Sequence, residues 1–195
     1  MQRREALRLL ASAAALPMLS GEAFSLFRAV HQQLPEQPTL KTLNPHQDAT
    51  VTTISELIIP QTGTPGAKGA RVNEFIDLIL TEWYDDEEKT TFMTGLTDVD
   101  TRARELFGKD FVGCGEKPQV EILQALDDEL AASRVEPEPH SRRRLPPERN
   151  FFFMIKQLTL IGYYTSQIGF EQELHEHIIP PRHAGCVPLE EEAAK

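Results

Sequence analysis

Cysteine and long apolar runs are scarce in this chain. Two cysteines in 195 residues, Cys114 and Cys186, do not make a disulfide framework. They can pair with each other, stay free or bridge to another subunit, and one bridge is worth roughly 2–4 kcal/mol. No unbroken apolar run approaches the ~20 residues of a membrane span, and the greasiest stretch, residues 151–169, is interrupted by Lys156 and Gln157. Positive charge is short as well: 20 Lys and Arg stand against 30 Asp and Glu, a net charge of −10. A nucleic-acid backbone demands clustered positive charge, so nucleic acid is not an expected partner. Strand-like alternation of useful length is missing throughout. That leaves an all-α fold, a compact bundle of about five helices with short connections.

The motifs of common chemistries are missing too. There is no Cys-x-x-Cys-His for covalent haem, no cysteine quartet for an iron–sulfur cluster, no Gly-x-Gly-x-x-Gly and no Gly-x-Ser-x-Gly. No Ser/His/Asp order stands out. The loop Gln61–Ala70 has glycines but neither a preceding strand nor the Gly-Lys-Ser/Thr ending of a phosphate loop, so it reads as a tight connection between packed helices. The consecutive carboxylates Asp85 to Glu88 sit at a helix start, where they complement the helix dipole. By this inventory the chain has no catalytic, cofactor-binding or metal residue of its own.

What is there begins at the N-terminus. Arg3 and Arg4, with Leu7 and Arg8 behind them, precede a short, small, apolar stretch from Ala11 to Leu19. A basic head followed by such a stretch reads as an export signal rather than a span. The adjacent arginines resemble a twin-arginine signal, although Gln2 and Ala6 depart from the usual residues. Residues 1–23 are therefore expected to be a twin-arginine-type signal segment, with a weak cleavage site at Gly21-Glu-Ala23, directing the protein to the periplasm. No cysteine lies nearby to carry a lipid. The alternative is an amphipathic first helix of the mature fold. The twin-arginine route generally carries folded proteins, often with cofactors, which suggests that the folded cargo is a partner.

Residues 24–43 read as an exposed lead-in linker, with Pro35 and Pro38 in polar company. The helical domain is expected over residues 44–190, followed by a charged tail at 191–195. Asn44-Pro45-His46-Gln47 is a helix start, with Val51, Ile54, Leu57 and Ile58 as its buried face and Pro60 ending it. From Ala70 to Tyr84, Val72, Phe75, Ile76, Ile79, Leu80 and Trp83 line one side of a helix. Asp85 caps the next, in which Phe92, Leu96, Val99, Ala103 and Leu106 recur by fours and threes until Gly108. Pro118 begins another, with Val120, Leu123, Leu126 and Leu130 on one face. Residues 136–149, with Arg142, Arg143 and Arg144 together, form a solvated loop or a docking element for an acidic partner. The stretch from Phe151 to Gly169 is apolar over most of its circumference, which places it in a core or under a second protein. Glu171 to His177 extends helically, and the tail after it is irregular.

Tyr163, Tyr164, Thr165 and Ser166 put polar groups on this apolar helix, explained by buried hydrogen bonds or by an interface. With Phe152 they are the candidate partner-facing residues. The one cluster with metal-ligand character is His175-x-His177 with His183-x-x-Cys186. It carries the alternative reading, an independent periplasmic metal-binding helical protein.

Several stretches together resemble the gluconate 2-dehydrogenase subunit 3 family. They are Ile58-Ile-Pro-Gln-Thr-Gly-Thr-Pro-Gly-Ala67 with Val72 and Phe75-Ile-Asp77, then Phe151-Phe and Lys156 through Gly169, then Gly185-Cys186-Val-Pro188. Gly162-Tyr-Tyr-Thr-Ser166 is the most specific of them. Gly63 and Gln167 stand where such proteins often have an acidic residue, and Pro181 where glycine is common. The resemblance implies a non-catalytic small (gamma) subunit of a periplasmic dehydrogenase complex acting on a sugar, sugar acid or polyol. FAD would reside in a catalytic subunit similar to glucose–methanol–choline oxidoreductases, and haem c in a cytochrome subunit that passes electrons to quinone. The small subunit would take the leaderless catalytic subunit through the twin-arginine translocation machinery and stabilise it afterwards. Membrane association would be indirect, through those partners. By the same resemblance Cys186 would bridge to the catalytic subunit; a bridge to Cys114 is the rival.

Overall fold

The computed structural model describes residues 27–31, 40–133 and 150–175. Helix α1 (Pro45–Ile58) starts as its sequence dictates. The Asn44 side chain accepts from Gln47 N–H, the Gln47 side chain accepts from Asn44 N–H, and Pro45 fills a position whose N–H would have no helical acceptor. Helix α2 (Val72–Glu82) and helix α3 (Asp86–Phe107) follow. Asp85 and Glu88 close a second reciprocal cap, and α3 stops at Gly108, whose φ of 70° suits a residue without a side chain. Helix α4 (Glu116–Ser133) and helix α5 (Phe151–Thr165) complete the bundle, and a π-helical turn (Ile168–Glu173) ends it. Residues 27–31 are helical as well, and no strand occurs among the described residues. The expected all-α bundle is what forms.

Helix α5 is the axis. It packs against α1, α2, α3, α4 and the π-helical turn, and 12 of its 15 residues are buried. A helix apolar nearly all round has no stable place except one enclosed by other helices. Phe151 meets Phe92 of α3 edge-on, with ring centroids 5.3 Å apart. Each such buried ring contributes roughly 1.5–3 kcal/mol through the area it removes from water. None of the described helices is long and apolar enough to cross a membrane.

Lys156, the charge that interrupts the apolar run, is itself buried: it is 4% exposed, with its Nζ 2.7 Å from Asp127 Oδ1 of α4. The structure corrects the sequence reading at five places. Trp83 is 47% exposed and Leu106 64% exposed, because each lies at a helix end where the periodic face has already turned past the core. Val120 is only half-buried, its place in the core taken by Gln119 and Ile122. Helix α5 ends at Thr165 rather than running on to Gly169, since Ser166 is extended with ψ 158°.

The fifth correction concerns the lead-in. Within 24–43, Val30 and Leu43 are buried, and residues 41–43 are tied down by a carboxylate. Asp77, 3% exposed on α2, accepts the backbone N–H groups of Lys41, Thr42 and Leu43 at 2.8, 3.0 and 2.7 Å. A buried carboxylate must be satisfied, and three charge-assisted bonds do so while fixing the entry to α1. Asp77→Ala is expected to cost about 2 kcal/mol, since it leaves the buried Leu43 N–H without its acceptor. Native-state hydrogen exchange should show the amides of Lys41, Thr42 and Leu43 opening first; unchanged protection there would refute the anchor. The expected signal segment 1–23, the arginines 142–144 and the tail 191–195 lie outside the described residues.

Candidate interaction surface

Helix α5 ends in four side chains that carry hydroxyl groups, Tyr163, Tyr164, Thr165 and Ser166. Ser166 turns the backbone out of the helix: its N–H goes to Tyr163 O, its Oγ donates to the same carbonyl at 2.6 Å, and that Oγ accepts from Gly169 N–H at 3.0 Å. The chain then re-enters a wider, π-helical turn: Phe170 N–H bonds to Ser166 O, and Leu174 N–H reaches five residues back to Gly169 O. Thr165 Oγ1 donates back to Ile161 O, and Tyr163 Oη donates to Pro65 O at 2.9 Å. The last of these bonds fastens the α1–α2 loop to α5.

That loop is closed from within. Glu56 accepts from the N–H groups of Gln61 and Lys68, Ala67 N–H bonds to Ile59 O, and Thr64 Oγ1 donates to Glu173 on the π-helical turn. Its amides thus hold a carboxylate of α1, which accounts for the turn-rich sequence without a phosphate. Deeper in, Ser55 and Thr159 pair their hydroxyls between α1 and α5 at 3.1 Å.

Residues 27–31 lie across the same end. His31 stacks on Phe75 of α2, with centroids 4.6 Å apart and planes at 14°, and its Nε2–H donates to Gly162 O of α5. Because Ser166 N–H has turned to Tyr163 O, the Gly162 carbonyl is met by the imidazole. Burial pushes the His31 pKa down to about 4, outweighing the bond to Gly162 that raises it; Arg71 lowers it further. Phe27 approaches Phe75 edge-on and lies 6.5 Å from Trp83, and the Arg28 guanidinium sits 5.0 Å over the Phe170 ring.

The residues expected at a partner interface divide sharply. Phe152, Tyr163, Thr165 and Ser166 are buried within this chain; the last three build the joint just described, and none of the four offers side-chain surface. The reason is geometric: α5 is surrounded on every side. Tyr164 alone is half-buried, edge-on to Tyr163, with burial and then Glu173 raising its pKa. Cys114 is a free, half-buried thiol in the turn after α3, its carbonyl and that of Phe111 held by the Gln119 side chain. Arg3, Arg4 and Cys186 lie outside the described residues. So do His177 and His183; of that candidate metal set only His175 is described, exposed and with a φ of 56°. Among the described residues no group of three or more His, Cys, Asp or Glu could hold a metal ion.

Among the described residues, large apolar side chains are exposed at two places. At one, Trp83 lies against Phe27 and Leu174 follows the turn whose Phe170 ring carries Arg28. Leu106 and Val112 stand on either side of the Gly108 turn. Sequence periodicity assigned Trp83 and Leu106 to the core and had no means of finding His31, whose neighbours are remote in the chain. The arrangement at the α5 end binds and positions segments: every buried side-chain nitrogen and oxygen among the described residues has a partner. Of known families, the model described as Gluconate 2-dehydrogenase subunit 3 matches residues 45–180. No curated protein and no solved structure matches the chain.

Proposed function

Because the chain belongs to the gluconate 2-dehydrogenase subunit 3 family, we propose that it is a non-catalytic accessory subunit of a periplasmic flavin-dependent dehydrogenase acting on a sugar, sugar acid or polyol. The family match over residues 45–180 is the observation that carries this reading. The catalytic partner would hold FAD and resemble the glucose–methanol–choline oxidoreductases. A c-type cytochrome would take its electrons and attach the complex to the membrane.

The twin-arginine-like pair Arg3 and Arg4 supports a role in export, with the flavoprotein as folded cargo. The internal satisfaction of the bundle fits a scaffold that folds first and is then covered in part. Tyr164, with Trp83 and Leu106, would supply apolar contact to the partner, as aromatic side chains commonly do at interfaces. A bridge from Cys186 to the catalytic subunit would hold the complex after export.

Two measurements test this. Purified from native membranes through a tag on this subunit, the assembly should show flavin and c-type haem absorbance and dye-linked dehydrogenase activity. Replacing Arg3 and Arg4 by Lys should leave the flavoprotein in the cytoplasm. A flavoprotein that still reaches the periplasm would refute the escort role.

A further inference from the structure

We propose that residues 27–31 are an acid-released strap: seated across α2 and α5 while His31 is neutral, they leave when it gains a proton, and the bundle beneath stays folded. The proposal does not rest on the family reading, because the strap precedes the matched residues 45–180.

The seat is built from three elements. Phe75 and Trp83 come from α2, the Gly162 carbonyl from α5 and the Phe170 ring from the π-helical turn. Val30 is 2% exposed, so the strap is packed rather than draped. Gly162 makes the close approach feasible: a Cβ there would come 2.8 Å from Phe75 Cδ1, and the carbonyl would be pushed off the imidazole. Helices α1 to α5 also pack on one another directly, α5 against each of the other four. A segment held on such a core by a few side chains is the kind of unit that opens before the whole.

Charge decides what opens it. At the start of α2, Arg71, which acts on His31, is paired with Glu74, and Asp77 further along α2 is engaged by the amides of residues 41–43. Arg28 on the strap itself is a second cation, and Glu173 on the π-helical turn is held by Thr64. On α5 the Tyr163 hydroxyl is taken up by Pro65 O, and burial pushes Tyr164 further toward its neutral form. A proton on His31 would therefore put a positive charge in a desolvated place beside Arg71, whose own carboxylate partner is Glu74. The seated ring has a pKa of about 4 against 6.5 when free. Between these values the free strap binds a proton and the seated one does not. Stability of the seated form is thus complete above pH ~6.5 and lost as pH falls toward ~4, the docking constant dropping about a hundredfold.

Trp83 reports on the strap directly, being the only tryptophan in the sequence and in contact with Phe27. The experiment titrates the full chain from pH 7.5 to 4, following tryptophan fluorescence and far-UV circular dichroism together, for the natural sequence and for His31→Phe. The expected result is a fluorescence transition between pH 6.5 and 4 at constant helicity, and a pH-independent signal in His31→Phe. A flat fluorescence trace, helicity falling in step with it, or the same transition in His31→Phe would each overturn the proposal.

Discussion

Replacing Phe75 with alanine should destabilise the protein by about 3–5 kcal/mol, the usual cost of emptying a buried aromatic site. Phe75 is fully buried on α2 and lies where α2, α5 and residues 27–31 converge. Its ring carries His31 on one face and Phe27 at its edge, and it packs against the bare backbone of Gly162. No side chain at 162 can move in to fill the space, so the cavity persists. In a protein of this size the melting temperature should fall by roughly 10 °C or more. Trp83 fluorescence at neutral pH should also shift, since Phe27 loses the ring it leans on. A loss under ~1 kcal/mol in urea unfolding would mean that α2 and α5 close over the gap, and the convergence described here would then be of little energetic weight.

A second large effect is expected at Gly169. Any Cβ at this position would sit 2.1 Å from Tyr163 O and 2.8 Å from its carbonyl carbon. Both are backbone atoms fixed by the turn that Ser166 makes, so neither can swing aside. Gly169→Ala should therefore cost about 3 kcal/mol, near the upper end for forced overpacking. Gly169→Val should cost little more, because the first carbon already makes the clash. Equilibrium unfolding of the two variants decides the matter. A valine far worse than alanine would show that general crowding, and not the carbonyl of Tyr163, requires glycine here.

Much of the bundle was legible in the sequence because its signals are local. Asn44-Pro45 and Asp85 with Glu88 determine helix starts through bonds spanning three residues, and both caps form as read. The apolar spacing of Val72, Phe75, Ile76, Ile79 and Leu80 determines one buried face, and all five are buried. The density of apolar residues from Phe151 onward placed α5 at the centre, where it lies. The family likeness, too, rested on contiguous residues, and the match over 45–180 bears it out.

The candidate surface was far less legible. Phe152, Tyr163, Thr165 and Ser166 have the composition of an interface, yet their contacts are with Pro65, Ile161, Gly169 and the surrounding helices. Whether a hydrophobic side chain on a central helix faces a partner or its own bundle depends on how many helices enclose it. Trp83 and Leu106 fail in the opposite sense, since periodicity continues to the last turn of a helix whereas the core does not.

The sequence by itself determined the all-α class, the helix starts and the central helix, because caps and 3.6-residue periodicity act within a few residues of one another. Only the tertiary structure decided that Asp77 captures the chain entering α1, that Lys156 is buried against Asp127, and that His31 closes over Phe75. Each of these joins groups 29 or more residues apart. A desolvated charge or imidazole is tolerable only where a distant element brings its partner, and that meeting is a property of the packed helices rather than of any one stretch of chain.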